Sequence, residues 1–166
     1  MSNPELMHPT DELKKEHVSV LELLREITAL TATEQLSSAT EWVDSFDRAC
    51  IFLQTDVARH FEKEEKALFP VLAKYVGNQT GPVAVMLQEH EQHQALLSQL
   101  CAAVQSRDWG SVRSAWNPFA QLLGLHIMKE DSVLFPMAER LMNAEERTEV
   151  HNKMEAINRS IEIPMS

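Results

Sequence analysis

The stretch HFEKEEKALFP at residues 60–70 decides how the rest of the chain is interpreted. It begins with a histidine, carries a glutamate four residues later and stops on a proline, which predicts that a helix ends there. Four residues rotate only about 40° around an α-helix, so His60 and Glu64 lie on one helical face. A solvated pair on the protein surface is the ordinary explanation of this spacing. The rest of the sequence must show whether the pair instead belongs to a functional site.

A second copy of this stretch, HIMKEDSVLFP, occupies residues 126–136. It repeats the histidine, a lysine, a glutamate and the final Leu-Phe-Pro in place. Glu64 and Glu130 follow their histidines by four residues, and both are predicted to face inward with them. A step of five residues turns about 140° away from that face. This rotation disfavours Glu65 and leaves Asp131 as a reserve candidate.

Bulk composition predicts one globular, all-helical domain. The chain has 166 residues, of which 44% are hydrophobic and 24% are charged, and it has only 4 glycines. That length suits a single core, so residues 1–166 are predicted to form one domain. Cys50 and Cys101 lack the spacing of a metal-binding or redox pair and are predicted to be reduced thiols.

Charge and targeting signals limit the classes of partner. The formal net charge of −10 disfavours nucleic acid and anionic membranes, which bind mainly through basic patches. No apolar run approaches the roughly 20 residues that span a bilayer. The first residues also lack the pattern of a signal peptide. We therefore expect a cytoplasmic protein with neither nucleic-acid nor membrane partners.

Capping and turn signals divide the chain into four long helices and a short fifth one. The links between them are short, so neighbouring helices should be antiparallel, which predicts an up-down-up-down four-helix bundle. Pro118 predicts either a kink in helix 4 or a new start there with Asn117 as cap. The predicted helices run from Thr10 to about Leu30, Ser38 to about Leu68, Pro82 to about Ser106, Val112 to about Leu134 and Asn143 to about Ile161.

Each long helix carries an apolar stripe with the 4-3-4-3 spacing of a bundle seam, and each stripe is interrupted by histidine or glutamate. The interrupting histidines are His17, His60, His90 and His126. In the predicted bundle, the early parts of helices 1 and 3 lie beside the late parts of helices 2 and 4. The four imidazoles should therefore meet at one depth, near one mouth of the bundle. A single histidine in such a stripe is usually a core residue, but four histidines at the same depth indicate a binding site.

The inward glutamates strengthen this interpretation. A buried, unpaired carboxylate costs several kcal/mol, and the inward stripes of the four helices carry no lysine or arginine to neutralise Glu64 or Glu130. A polyvalent cation is the simplest partner. Imidazole together with carboxylate suits iron, manganese or zinc better than calcium or magnesium.

Four segments resemble the hemerythrin-like, HHE cation-binding family, and the resemblance covers nearly the whole chain. They are EHVSVLELL, RHFEKEEKALFP, MLQEHEQH and HIMKEDSVLFPMAERL. The resemblance implies a four-helix bundle that holds two non-haem irons through histidines and two bridging carboxylates. The positions that match the metal ligands of the family are His17, His60, Glu64, His90, His126 and Glu130.

The chain also departs from the oxygen-carrying members of that family. Those use two histidines four residues apart on helix 3, and here the first of these positions is Met86. Asp131 does stand five residues after His126, where the carriers have an aspartate. His93 is an additional histidine. Three roles stay open for it: a fifth nitrogen ligand, a hydrogen-bonding residue behind the ligands, or a simple core residue. The missing nitrogen ligand argues against reversible oxygen carriage.

The leading hypothesis is a di-iron protein that binds or reacts with a small ligand such as oxygen, nitric oxide or peroxide. Whether turnover occurs is left open. The side chains predicted to wall the ligand pocket, or alternatively to pack the bundle end, are Phe61, Phe69, Leu134 and Phe135.

Three other hypotheses compete with this one. The first is an iron store or an iron- or redox-responsive sensor without catalysis, and the second is a purely structural helical domain. The third is repair of nitrosylated iron centres, which some similar proteins perform with an added cysteine-bearing module that this sequence lacks. A homodimer is also predicted, paired through the fifth helix and Trp42, Trp109 and Trp116.

Overall fold

The structure is a computed structural model that describes residues 7–32 and 39–160, and all regular structure in these ranges is helical. None of the helices there combines the length and apolar character that a bilayer crossing requires. The five helices are α1 at Pro9–Ala32, α2 at residues 39–76, α3 at Pro82–Gln105, α4 at residues 109–141 and α5 at Ala144–Ser160.

Helices α2 and α4 continue past the prolines that the sequence predicts to end them. In α2, π-helical turns at Leu53–Val57 and Glu64–Leu68 join three α-helical pieces, and in α4 a π-helical turn spans Glu130–Leu134. Two of these turns, Glu64–Leu68 and Glu130–Leu134, precede a proline. Pro70 and Pro136 are each the second residue of the α-helical piece that follows the turn. A proline is tolerated in such a position because its missing N–H and its ring fit the first turn of a helix. The predicted ends near Leu68 and Leu134 are therefore wrong.

The start of α1 differs by one residue from the prediction. The helix begins at Pro9, and the ring of His8 accepts a hydrogen bond from the N–H of Thr10 at 3.2 Å. Thr10 is not the cap; its hydroxyl is buried and donates to Glu139 at 2.9 Å. The predicted start of helix 2 at Ser38 lies outside the described residues.

Helix α4 begins earlier than predicted, at Trp109, because the side chain of Asp108 caps it by accepting from the N–H of Ser111 at 3.2 Å. The helix continues through Pro118, so the alternative cap at Asn117 is wrong. The predicted start of α5 at Asn143 is confirmed, whereas its predicted end near Ile161 lies outside the described residues. There the N–H of Glu146 donates to the side chain of Asn143 at 2.9 Å, and the Glu146 carboxylate accepts from the N–H of Asn143 at 3.1 Å.

Buried apolar side chains form two core clusters. Residues of the first core cluster include Trp42, Phe46, Trp116 and Phe119, with Cys50 among them. Burial of Trp42 and Trp116 rules them out as a pairing surface, which corrects the sequence prediction. Cys50 and the half-buried Cys101 are both free thiols, as predicted.

The second core cluster gathers on the other side of the buried histidines, from α1 to α5. Its members include Leu13, Leu68, Phe135, Val150 and Met154. The histidines therefore lie at the level where the two clusters meet, rather than at an open mouth. The sequence prediction fails here because α2 and α4 extend past their prolines and α5 packs over that end.

Helices α2 and α3 pack antiparallel to each other, with the end of one beside the start of the other. The end of α3 reaches the start of α2, where Arg107 pairs with Asp47 at 2.7 Å. The early part of α3 reaches the late part of α2, where His90 contacts Glu65 at 2.8 Å. Helix α1 packs against α2 and α4, and α3 packs against α2 and α4.

Candidate metal centre

The structure brings together the six side chains that the sequence predicts as principal metal ligands. They are His17, His60, Glu64, His90, His126 and Glu130, and all are buried. They form two overlapping groups, within each of which one ligand atom per residue lies within 4.8 Å of the others. The first group is His17, His60, Glu64 and Glu130, and the second is Glu64, His90 and His126.

The two glutamates lie between the two groups of imidazoles. One oxygen of Glu64 is 2.9 Å from Nε2 of His60, and the other is 3.0 Å from Nε2 of His90. One oxygen of Glu130 is 3.3 Å from Nε2 of His17 and 3.2 Å from Nε2 of His126. Each carboxylate thus faces one histidine of the α1–α2 pair and one of the α3–α4 pair, as a bridging ligand would.

Both glutamates are the first residue of a π-helical turn, Glu64–Leu68 in α2 and Glu130–Leu134 in α4. Single π turns inside α-helices occur frequently at functional sites. The preceding four-residue step stays in ordinary α-helix, which keeps each histidine and its glutamate on one face. The two sequence copies therefore fold in the same way, and in both the turn ends on the leucine of the Leu-Phe-Pro ending.

Each of the four imidazoles is held from behind by a carboxylate on a different helix. The Nδ1-to-oxygen pairs are His17–Asp131 at 2.8 Å, His60–Glu16 at 3.0 Å, His90–Glu65 at 2.8 Å and His126–Glu89 at 2.8 Å. A carboxylate accepts from an Nδ1–H, which leaves the lone pair on the inward-facing Nε2. That is the imidazole form that binds a metal ion, and such outer carboxylates orient metal-binding histidines.

Most of the inward-facing atoms have no hydrogen-bond partner among the described residues; the exceptions are Nε2 of His17 and Nε2 of His60, which lie 3.2 Å apart within hydrogen-bond distance of each other. Within the part of the chain that the structure describes, both oxygens of Glu64, both oxygens of Glu130 and Nε2 of His90 and His126 have no hydrogen-bond partner. The nitrogen-to-oxygen distances, 2.9 Å from His60 and 3.0 Å from His90, are short enough for hydrogen bonds to Glu64, yet none is formed. Buried carboxylates without donors are strongly unfavourable, and lone pairs that converge on one space suit a cation. Imidazole and carboxylate donors fit iron, manganese or zinc.

The buried groups also shift the pKa values of one another. Burial alone would lower the pKa of His60, but the charge of Glu64, the hydrogen bond to Glu16 and the charge of Glu130 raise it to about 10. Burial likewise opposes protonation of His126, yet Glu130 raises its pKa to about 9. Burial would raise the pKa of Glu64, but His60 holds it well below its usual range. Burial and then the charge of Glu64 raise the pKa of Glu130, so the cluster favours added positive charge.

The two reserve candidates lie outside both groups. Asp131 stands behind His17, and its side chain is largely exposed. His93 is buried among aromatic rings, with its ring centre 4.8 Å from that of Phe61 and 4.9 Å from that of Phe119. Burial and then the charges of His126 and His90 lower the pKa of His93 to about 3, so its imidazole is neutral.

Three of the four predicted wall residues touch the imidazoles. Phe61 stacks on His90 with ring centres 3.9 Å apart, and Phe69 lies 5.7 Å from the same ring. Phe135 stacks on His17 at 5.4 Å. The fourth, Leu134, is buried in the second core cluster.

The carboxylates that contact Nδ1 of the four candidate ligand histidines, and the lysine beside them, were not predicted from the sequence. Lys63 is buried, and its Nζ lies 2.7 Å from Glu16 and 3.6 Å from Glu12. Hydrogen bonds from His60 and Lys63 outweigh burial and lower the pKa of Glu16. A signal was present in the sequence, because the lysine recurs in both copies and a glutamate precedes the histidine in both α1 and α3.

Comparison with known proteins places this geometry in context. Residues 8–138 match the family described as the Hemerythrin HHE cation binding domain. Curated relatives include proteins named iron-sulfur cluster repair protein YtfE from Salmonella newport, Salmonella agona and Salmonella gallinarum, each 32% identical over 95 residues. The match covers 52% of this chain and 43% of each relative, so the chain matches less than half the length of these relatives.

Proposed function

The chain belongs to the hemerythrin HHE cation-binding domain family, and on that premise we propose that it is a non-haem di-iron protein. Its role is to bind or react with a small ligand such as oxygen, nitric oxide or peroxide. The observation that carries the proposal is the pair of buried carboxylates, Glu64 and Glu130, whose oxygens have no hydrogen-bond donor among the described residues. Four imidazoles with inward-facing Nε2 atoms surround them.

The proposed scaffold is an up-down-up-down bundle of α1 to α4. Two observations support it. The α2–α3 contacts pair late residues of one helix with early residues of the other, through Asp47–Arg107 and Glu65–His90. The link between these helices also contains two glycines with positive φ, Gly77 at 78° and Gly81 at 87°, which allow a tight reversal.

Within this scaffold the chain contributes the ligands and their surroundings. The side chains that would hold the irons are His17, His60, Glu64, His90, His126 and Glu130. Iron held there supplies Lewis-acid and redox chemistry towards a small ligand. The outer carboxylates fix the tautomer of each imidazole and balance part of the positive charge. Phe61 and Phe135 cover the imidazole faces and exclude water from the buried side chains.

Anaerobic purification followed by a metal count tests the proposal. We expect iron in the protein and a new visible absorption band when oxygen, nitric oxide or peroxide is added. Reversible absorption indicates ligand binding, whereas repeated consumption of the ligand indicates an enzyme. Iron that changes neither the spectrum nor the ligand supports the storage or sensor alternative. Substoichiometric metal together with unchanged thermal stability after chelation would overturn the proposal in favour of a structural domain.

Repair of iron–sulfur clusters is a second candidate function. It is favoured by the 32% identity to relatives named iron-sulfur cluster repair protein YtfE. The iron-loaded protein should restore the activity of a nitric-oxide-damaged iron–sulfur enzyme if this function applies. No restoration, compared with free ferrous iron at the same concentration, would exclude it. A cytoplasmic location and a homodimer stay predictions.

A further inference from the structure

A groove of about 740 Å³ lies between α2 and α3 and reaches the candidate metal centre. Its lining includes His90, which belongs to the second ligand group, and His93 one turn later on the same helix. Phe61 also lines the groove and stacks on His90. The groove therefore connects the protein surface to the α3–α4 side of the centre.

His93 differs from the other four buried histidines in its hydrogen bonding. Each of those four has its Nδ1 on a carboxylate. His93 is only 3% exposed, and none of the described residues forms a hydrogen bond with either of its ring nitrogens. Buried polar groups in native proteins nearly always have a partner, so an imidazole in this state needs a separate explanation.

Neither of the other interpretations of His93 fits its surroundings. It belongs to neither group of converging ligand atoms, which argues against a fifth nitrogen ligand. Its neighbours Phe61 and Phe119 are apolar, and a simple core position there would favour a residue without two unsatisfied nitrogens. A partner that enters through the groove accounts for both observations.

We propose that His93 is the hydrogen-bonding residue for the small ligand of this centre, which enters through the groove between α2 and α3. The inference rests on the proposed function and assigns one side of the centre to ligand binding. A neutral imidazole offers one N–H donor and one lone pair. It therefore suits a small ligand that accepts a hydrogen bond, such as nitric oxide, peroxide or azide, and adds no positive charge beside the metal ions.

The test compares His93→Leu and His93→Gln with the wild-type protein, using azide as the probe. All three are loaded with iron, and the metal content and the azide dissociation constant are measured, the latter from visible absorption. We expect equal metal content, an azide affinity about tenfold lower in His93→Leu, and recovery to within about threefold in His93→Gln, since loss of one hydrogen bond has roughly this effect. Gln94→Ala is the matched control, because Gln94 lines the same groove but is exposed.

A second readout uses the metal-free protein and needs no ligand. The unpartnered imidazole should destabilise the fold, so His93→Leu should unfold at the same temperature as wild type or a higher one. A lower unfolding temperature together with unchanged azide affinity would show a structural role and overturn the inference. Loss of iron from His93→Leu would make His93 a metal ligand and overturn it as well. Wild-type protein that takes up no iron would instead overturn the proposed function, and this inference with it.

Discussion

The two halves of the candidate centre are built from the same sequence pattern but differ in their surroundings. In the first half, α1 supplies Glu16-His17 and α2 supplies His60 with Glu64. In the second half, α3 supplies the corresponding Glu89-His90, and α4 carries the second copy of the motif. The inner ligands and outer carboxylates are equivalent in both, so the repeated motif determines the ligand set and its orientation.

The charged residues behind the two halves are not equivalent. The side chain of Lys63 is 1% exposed, whereas that of Lys129, at the same place in the second copy, is 45% exposed. Helix α5 packs against the part of α2 that carries Lys63, and Asn158 of α5 donates to Glu12 at 3.0 Å. The first half is therefore covered by α5, and its ion pair is part of the packed interior.

The residue three positions after the first histidine of each half also differs. It is Val20 in the first half, packed in the first core cluster, and His93 in the second half, beside the groove. One half is thus closed with an apolar side chain and the other presents a polar one. The same ligand motif therefore lies in two different surroundings, one closed by apolar packing and the other beside the groove.

The largest effect is expected from Glu64→Ala, because Glu64 belongs to both ligand groups. Both halves should lose metal, with a loss of affinity greater than the roughly 10–100-fold that removal of an outer carboxylate causes. Glu130→Ala should also lower metal content, most strongly in the first half. Metal analysis after dialysis measures the effect, with Glu62→Ala on the same helix as control. Full metal content in Glu64→Ala would contradict the shared-ligand geometry.

The next-largest effect is expected from alanine variants of Glu16 and Glu89, the glutamates that contact Nδ1 of His60 and His126. Both alanine variants should weaken metal binding by about 10–100-fold. Glu16→Ala should in addition lower the free energy of unfolding by about 1–3 kcal/mol, since it removes the nearest partner of the buried Lys63. Both variants also leave Nδ1 of a buried histidine without its acceptor, but the exposed Lys129 loses little when Glu89 is removed, so Glu89→Ala should be the less destabilising of the two.

Chemical denaturation of the metal-free variants measures this difference. Lys63→Met combined with Glu16→Ala is the control, and it should recover most of the lost stability because the unpaired charge is gone. Equal destabilisation by the two glutamate variants would show that the burial of Lys63 has no energetic consequence.

A smaller effect is expected from Glu65→Ala and Asp131→Ala. The sequence argument predicts that Glu65 is irrelevant to metal binding, whereas the structure pairs it with His90 as it pairs Asp131 with His17. Both carboxylates are largely exposed, so each variant should weaken metal binding by about tenfold, at the lower end of the usual range. Competition with a coloured chelator measures the affinity. An unchanged affinity in both variants would support the original sequence argument.

The last prediction concerns how the stability of the metal-free protein depends on pH. In the metal-free protein, His60 has its pKa raised from 6.5 to about 10, so the folded state binds a proton that the unfolded state releases. The resulting stability is fully present below pH 6.5 and is lost as the pH rises through about 10. In the second half, the loss should be complete at a lower pH, because the pKa of His126 is raised only to about 9. Thermal unfolding of His60→Gln and His126→Gln should separate the two contributions.

The metal-loaded protein provides the contrast for this prediction. Its imidazoles are deprotonated by metal binding, so the decline in stability between neutral and alkaline pH should be absent. A decline of equal size with and without metal would contradict the assignment.

The sequence predicted the helical fold and the inward residues because both depend on local periodicity. His60 and Glu64 share a face in any α-helix, and the antiparallel order of short-linked helices brings early residues of α3 beside late residues of α2. The inward orientation of Glu64 and the outward one of Glu65 were predicted from rotation alone, and burial agrees with that prediction.

The tertiary structure decided those features that depend on contacts between segments distant along the chain. The π turns keep α2 and α4 helical beyond Pro70 and Pro136, and α5 then covers the end that the sequence left open. The burial of Lys63 depends on Glu16 and α5, and the isolation of His93 depends on Phe61 and Phe119, none of which helical periodicity can predict. Periodicity determines which side chains turn inward, but only packing between helices determines what each of them meets there.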